Sequence, residues 1–169
     1  DAYISVIEAV KFSAYVVKSK PELTWFDSKE FETGEKPIAI LKQYDGIVVP
    51  GGFGKTGVEG IVMAIKYARE HKIPYLGLCY GMQWMVVEFA RNVARMKGAN
   101  TTEVDEQTPY PVIDIMPDQK EKLARKDYGG SMRLASYPAY LKKGTIARVA
   151  YKSEIVDERH RHRFEVNPA

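Results

Sequence analysis

The chain has 169 residues, 45% of them hydrophobic and 28% charged, with a formal net charge of +3. That length suits one domain around a single core, and the composition is that of an ordinary globular protein. One cysteine excludes an internal disulfide, no apolar run reaches the length of a membrane span, and no secretory signal is visible, so a cytoplasmic setting is expected.

Ser5 to Val17 predicts a helix, with Val6, Val10, Ala14 and Val17 on one face at helical spacing. Leu23 to Phe26 predicts a short strand, and the polar, Gly- and Pro-containing stretch from Phe31 to Pro37 predicts a loop. Tyr44 to Val49 predicts a strand stopped by Pro50-Gly51-Gly52-Phe53-Gly54. Val58 to Glu70 predicts an amphipathic helix that turns Val58, Ile61, Val62 and Ile65 inward. Ile73 to Leu78 predicts the next strand and Tyr80 to Val93 the helix after it. Further on, Tyr110 to Met116 reads as a strand ended by Pro117, and the charged stretch Gln119 to Asp127 as a solvated helix or loop. Gly129 to Leu134 and Thr145 to Ala150 read as antiparallel strands. The alternation predicts an α/β fold: a doubly wound, mainly parallel sheet flanked by helices, with a small antiparallel appendage.

Chemistry concentrates at the carboxyl ends of two predicted strands, where open α/β sheets place their ligands. Gly77-Leu78-Cys79-Tyr80-Gly81 has the small-x-nucleophile-x-small pattern of a strand-to-helix elbow. The helix that follows offers N–H groups and a dipole that favour a thiolate. A buried, inert cysteine is the competing reading. Gly51 and Gly52 can turn their backbone N–H groups inward as an oxyanion hole, against the plainer readings of a tight turn or a phosphate loop. Gln83 falls one helical turn beyond Cys79, where its amide can reach a substrate or simply face solvent. Glu103 follows the polar loop Gly98 to Thr102 and can accept a substrate ammonium.

Glu158-Arg159-His160-Arg161-His162-Arg163-Phe164-Glu165 is the densest charged cluster. Its alternating histidines suggest metal ligands, but no Cys or Asp spacing completes a site, so no metal is expected. Nucleic-acid binding has thin support, with one Phe among five basic or His residues. An arginine gripping a substrate carboxylate by a bidentate contact and a solvated basic edge remain as readings.

These strings resemble a known family. Gly77-Leu-Cys-Tyr-Gly-Met-Gln83 is similar to the nucleophile motif of the class I, triad-type glutamine amidotransferases. The strings Val49 to Gly60, Val87 to Val93 with Ala99 to Glu103, Gly129 to Leu134 and Glu158 to Asn167 narrow the resemblance to the glutaminase domain of CTP synthase. It runs from about the first helix to the C-terminus. The resemblance implies a flavodoxin-like sheet and the following roles. Cys79 attacks the side-chain amide of L-glutamine, releases ammonia and forms a thioester that water hydrolyses. Backbone N–H groups of Gly51, Gly52 and Tyr80 stabilise the oxyanion. Gly52, Phe53, Tyr80, Gly81, Met82, Gln83, Glu103 and Arg163 hold glutamine. No cofactor belongs to this domain. A synthase domain would use ATP and Mg²⁺ to convert UTP to CTP, with GTP as activator, and the full enzyme would be a homotetramer with no nucleic-acid or membrane partner.

The chain departs from the family pattern in four ways. The family's His-Pro-Glu segment, which carries its catalytic His and Glu, does not appear: the histidines are His71, His160 and His162, and the last two belong to a different motif. The family's first strand is missing before Asp1, Tyr80 stands where Leu is usual, and the synthase domain is absent. Residues 1–169 are therefore expected to be part of a longer amidotransferase domain. A glutamine-binding or regulatory module without turnover is the alternative function. A related peptidase or chaperone is weaker still, since Tyr and not His follows Cys79.

Overall fold

The structure is a computed structural model that describes residues 3–115 and 133–168. The chain divides into two compact units, residues 1–113 and 114–167. In the first, α1 (Ile4–Val16) is followed by α2 (Ser28–Glu32), a 3-10 helix (Ile38–Gln43), β1 (Ile47–Val49), α3 (Val58–His71), β2 (Tyr75–Gly77), α4 (Tyr80–Asn92), β3 (Asn100–Thr101) and the start of β4 (Pro111–Ile115), whose last two residues are counted with the second. In the second lie β5 (Arg133–Tyr140), α5 (Ile146–Tyr151), β6 (Ile155–His162) and β7 (Phe164–Val166).

Strands β1 and β2 pair in parallel, with Ile47 opposite Tyr75 and Val49 opposite Gly77. A parallel pair needs a crossover, and α3 supplies it. The double-glycine loop after β1 and Cys79 after β2 thus leave the sheet at the same edge. Strands β3 and β4 are also parallel, with an irregularity between Asn100 and Thr101. The core is built by α3 and α4, which pack together: Val58, Val62, Ile65 and Ala68 on α3 and Trp84, Val87 and Ala90 on α4 are buried, Ala64 clusters with Phe31 and Leu41, and Ile113 and Ala99 are fully buried. Ile61, expected to face inward with them, is half-buried.

An ion pair crosses this helix interface. Arg69 on α3 donates through Nε and Nη2 to both oxygens of Glu88 on α4, at 2.8–3.2 Å. Glu88 is 1% exposed, so its charge is tolerable only because the guanidinium fork and Asn92 Nδ2, at 3.2 Å, satisfy it.

Most predicted elements are present within a few residues of their expected ends, and three expectations need correction. Leu23 to Phe26 is not a strand. Its apolar residues pack as rings: Trp25 stacks on Tyr3 at 5.6 Å, and Phe26 meets Phe31 and Tyr44 at 5.6 and 5.5 Å. Phe31 is not in a loop but buried in α2, a helix started by Asp27, whose side chain accepts the Lys29 N–H. Thr145 to Ala150 is not a strand but α5, because Thr145 Oγ1 accepts the Arg148 N–H and caps a helical turn. The antiparallel pair is instead β5 with β6, in register from Arg133 opposite His162 to Tyr140 opposite Ile155. On α1 the expected face is only half-buried at Val6, Val10 and Ala14, and Val17 is exposed. The expected stretch Gln119 to Asp127, residues 129–132 and the end at Met116 and Pro117 lie outside the described residues. Among the described residues, no helix is long and apolar enough to cross a membrane.

Candidate active site

Cys79 is the N-cap of α4 and has φ 52°, ψ −102°, a backbone that side-chain-bearing residues rarely adopt. Its glycine neighbours explain how the turn closes. A Cβ on Gly81 would fall 2.2 Å from the Val49 carbonyl oxygen, and one on Gly77 would fall 2.6 Å from the Gly81 and Met82 backbone. The elbow is pinned to the neighbouring strand by the Leu78 N–H to Val49 O bond at 2.9 Å, and to β2 by the Tyr75 hydroxyl, which donates to Gly81 O at 2.9 Å. Tyr75 is half-buried, and that burial raises its hydroxyl's pKa above the ordinary tyrosine range.

The double-glycine loop lies over this elbow. The Cβ position of Gly51 is 3.9 Å from Cys79 Sγ, and that of Gly52 is 3.2 Å from the Tyr80 ring. Gly51 and Gly52 therefore approach the Cys79 sulfur and the Tyr80 ring with no side chain of their own between. Two longer-range contacts hold the loop. Gly54 donates its N–H to Glu103 Oε1 at 2.9 Å, and the Tyr80 hydroxyl donates to Gly54 O. Tyr80, expected to offer its backbone N–H and to help hold glutamine, thus also uses its buried side chain as a prop. Its ring meets Trp84 edge-on at 5.7 Å.

Cys79 is a free, exposed cysteine, so the reading of a buried, inert thiol does not hold. Partial burial of its sulfur nevertheless pushes the thiol above its ordinary range, and the Glu103 carboxylate pushes the same way. The Tyr80 backbone N–H, bonded to the sulfur, pulls it down. The expected net preference for thiolate from the helix terminus is therefore outweighed, and the resting group is a thiol poised beside an N–H donor.

The structure places the other expected residues as follows. Gln83 is buried at 6% exposure, so the solvent-facing reading of its amide does not hold. Gly81 is buried, Met82 half-buried and Phe53 90% exposed. Glu103 is half-buried and ties to the glycine loop. All of these belong to the first unit. Arg163 belongs to the second, at the exposed bend between β6 and β7. The roles of Gly54 and of the Tyr80 hydroxyl were not expected. Gly54 and Glu103 are 49 residues apart, and no sequence pattern links them. His71 is occupied elsewhere: it stacks on Tyr67 at 3.8 Å, with Nδ1 2.9 Å from the Tyr67 carbonyl.

A cysteine at the strand-to-helix turn after one parallel strand thus lies beneath the glycine loop that follows the neighbouring strand, the arrangement expected of an α/β nucleophile elbow. The whole chain, residues 1–169, matches the family model for glutamine amidotransferase class-I, and the protein belongs to that family. Within it, the chain is similar to the glutaminase domain of CTP synthase. It is 52% identical over 168 residues to the CTP synthase of Methanococcoides burtonii and 53% identical over 169 residues to that of Pyrococcus furiosus. Each comparison covers 99% of this chain but only 31% and 30% of the respective relative, so the chain spans under a third of the synthases' length. Among solved structures, the Trypanosoma brucei CTP synthase glutaminase domain with bound acivicin matches with a TM-score of 0.89 at 37% identity, over 99% of this chain and 63% of that one.

Proposed function

We propose that the chain hydrolyses the side-chain amide of glutamine and supplies the ammonia for CTP synthesis. The observation that carries this reading is the approach of the Gly51-Gly52 loop to Cys79 Sγ over a strained elbow. Sγ adds to the amide carbon. Charge develops on the amide oxygen, which the N–H groups of Gly51, Gly52 and Tyr80 receive. The carbon–nitrogen bond breaks, ammonia leaves, and water hydrolyses the γ-glutamyl thioester to glutamate and free thiol. Because the resting sulfur is protonated, a base must take its proton as it attacks. Phe53, Gly81, Met82 and Gln83 line the substrate's side, and Glu103 accepts its ammonium. The Glu103 to Gly54 bond gives this arrangement a second use: a substrate ammonium on Glu103 also screens the charge that raises the Cys79 thiol.

In this reading residues 1–169 are the amidotransferase part of a cytoplasmic CTP synthase. A synthase domain activates UTP with ATP and Mg²⁺, GTP stimulates glutamine use, and the enzyme works as a homotetramer. The decisive test is Cys79→Ser in the protein joined to its synthase portion. Glutamine-dependent CTP formation should fall by several orders of magnitude while ammonia-dependent formation persists. Equal loss of both overturns the proposal. Labelling by a glutamine-analogue electrophile gives an independent check: Cys79 should react in the folded protein and be protected by glutamine, and reaction only after denaturation counts against the assignment.

The raised thiol favours one second reading, a module that binds glutamine without turning it over. Glutamine binding with no ammonia release would select it.

A further inference from the structure

We propose that His160, His162 and Glu165 in the second unit form a binding site for a transition-metal dication, with zinc the best fit. Strand β6 turns alternate residues to the same side, so His160 and His162 share a face. The bend at Arg163 then brings in Glu165 from β7. One ligand atom from each of the three residues lies within 4.8 Å of the others, and all three side chains are half-buried. Tetrahedral zinc with bonds of about 2.0–2.1 Å needs its ligand atoms roughly 3.3 Å apart, a closure that side-chain rotation supplies. The sequence pattern alone set a metal aside because no Cys or Asp completed it. Glu165 completes it.

A second observation points the same way. His160 Nδ1 is buried with no hydrogen-bond partner, an arrangement that costs free energy unless something binds there. The imidazole plane is already set, because the Tyr137 ring meets it edge-on at 5.4 Å and the His162 ring does so at 5.4 Å. Across the ladder from His160 stands Ala135, too small to fill the face.

The surrounding charge decides which metal. Arg159 and Arg161 alternate to the opposite face, and Arg163 sits at the bend. So much positive charge disfavours any cation held mainly by electrostatics, such as Mg²⁺ or Ca²⁺. An ion held by directed bonds to imidazole nitrogen, as zinc is, suffers less. Three protein ligands leave a fourth position for water or an anion, and the arginines favour the anion.

Equilibrium dialysis of the full chain against Zn²⁺ tests this, with Cys79→Ser introduced to remove the competing thiol. One zinc per chain is expected, unaffected by millimolar Mg²⁺. Its affinity should drop at least tenfold in His160→Ala and again in His162→Ala, and should weaken in acid because the ligating imidazoles must be neutral. Affinity unchanged when both histidines are replaced, or binding lost with Cys79→Ser alone, overturns the site. Should the variants fail to fold, Co²⁺ added to the unsubstituted chain gives the answer. Tetrahedral ligand-field bands without a thiolate charge-transfer band support the His-His-Glu set, and a thiolate band or no bands refute it.

Discussion

Glu103 and Cys79 set opposing demands on one small volume. The carboxylate holds the glycine loop through Gly54 and, by its charge, helps keep the sulfur protonated. Glu103→Gln retains an oxygen that can accept the Gly54 N–H but removes the charge. The Cys79 thiol should then ionise more easily. Iodoacetamide should alkylate it severalfold faster at about pH 8, with the rate profile displaced toward lower pH, and an unchanged profile would mean that the two groups do not communicate. Gly81→Ala probes the elbow itself. Its new Cβ meets a backbone carbonyl, which cannot swing aside as a side chain can, so urea denaturation should show a loss of about 1–3 kcal/mol. At this scale the sequence was informative where chemistry is local. Cys79 and its flanking glycines lie within five residues, and each of those glycines stands where a Cβ would run into backbone. The Tyr80 hydroxyl bond to Gly54 and the burial of Gln83 were not legible, because both depend on which loop lands over which helix.

Among the elements, α3 and α4 bear the first unit's core, and the Arg69–Glu88 pair joins them. Arg69→Met would leave a carboxylate at 1% exposure with Asn92 as its remaining donor. The expected cost is about 2–4 kcal/mol, somewhat below the roughly 3–5 kcal/mol typical of a broken buried pair, because Asn92 persists and Arg69 is partly open to water. Chemical denaturation measures it, and a double-mutant cycle with Glu88→Leu should recover much of the loss. On α5 the stakes are smaller: Thr145→Ala removes a cap worth about 1 kcal/mol, seen as local fraying by hydrogen exchange. The two long core helices were readable because apolar residues recur at 3.6-residue spacing over three or more turns. The 23–26 and 145–150 stretches were misread for a shared reason. Each has only a handful of residues, too few for period 2 to be told from period 3.6. Ring packing around Phe26 and a threonine cap decided them instead.

For the molecule as a whole, family membership follows from motifs spread along the chain, whereas its division into two units was not available from any motif. Arg163 illustrates the difference: the string around it is specific, yet its strand-end setting emerges only when β5 and β6 pair. The backbone of Cys79 carries a consequence for the entire folded state. A cysteine held at φ 52° costs roughly 1–3 kcal/mol, which every folded molecule bears whether or not substrate is present. Glycine accepts that angle freely and gives back only about 0.5–1 kcal/mol through its looser unfolded chain. Cys79→Gly should therefore melt at a higher temperature than the unaltered protein while being inert toward glutamine. Selection for durability alone would erase the sulfur, so its presence records a sacrifice of robustness to keep one atom in reach.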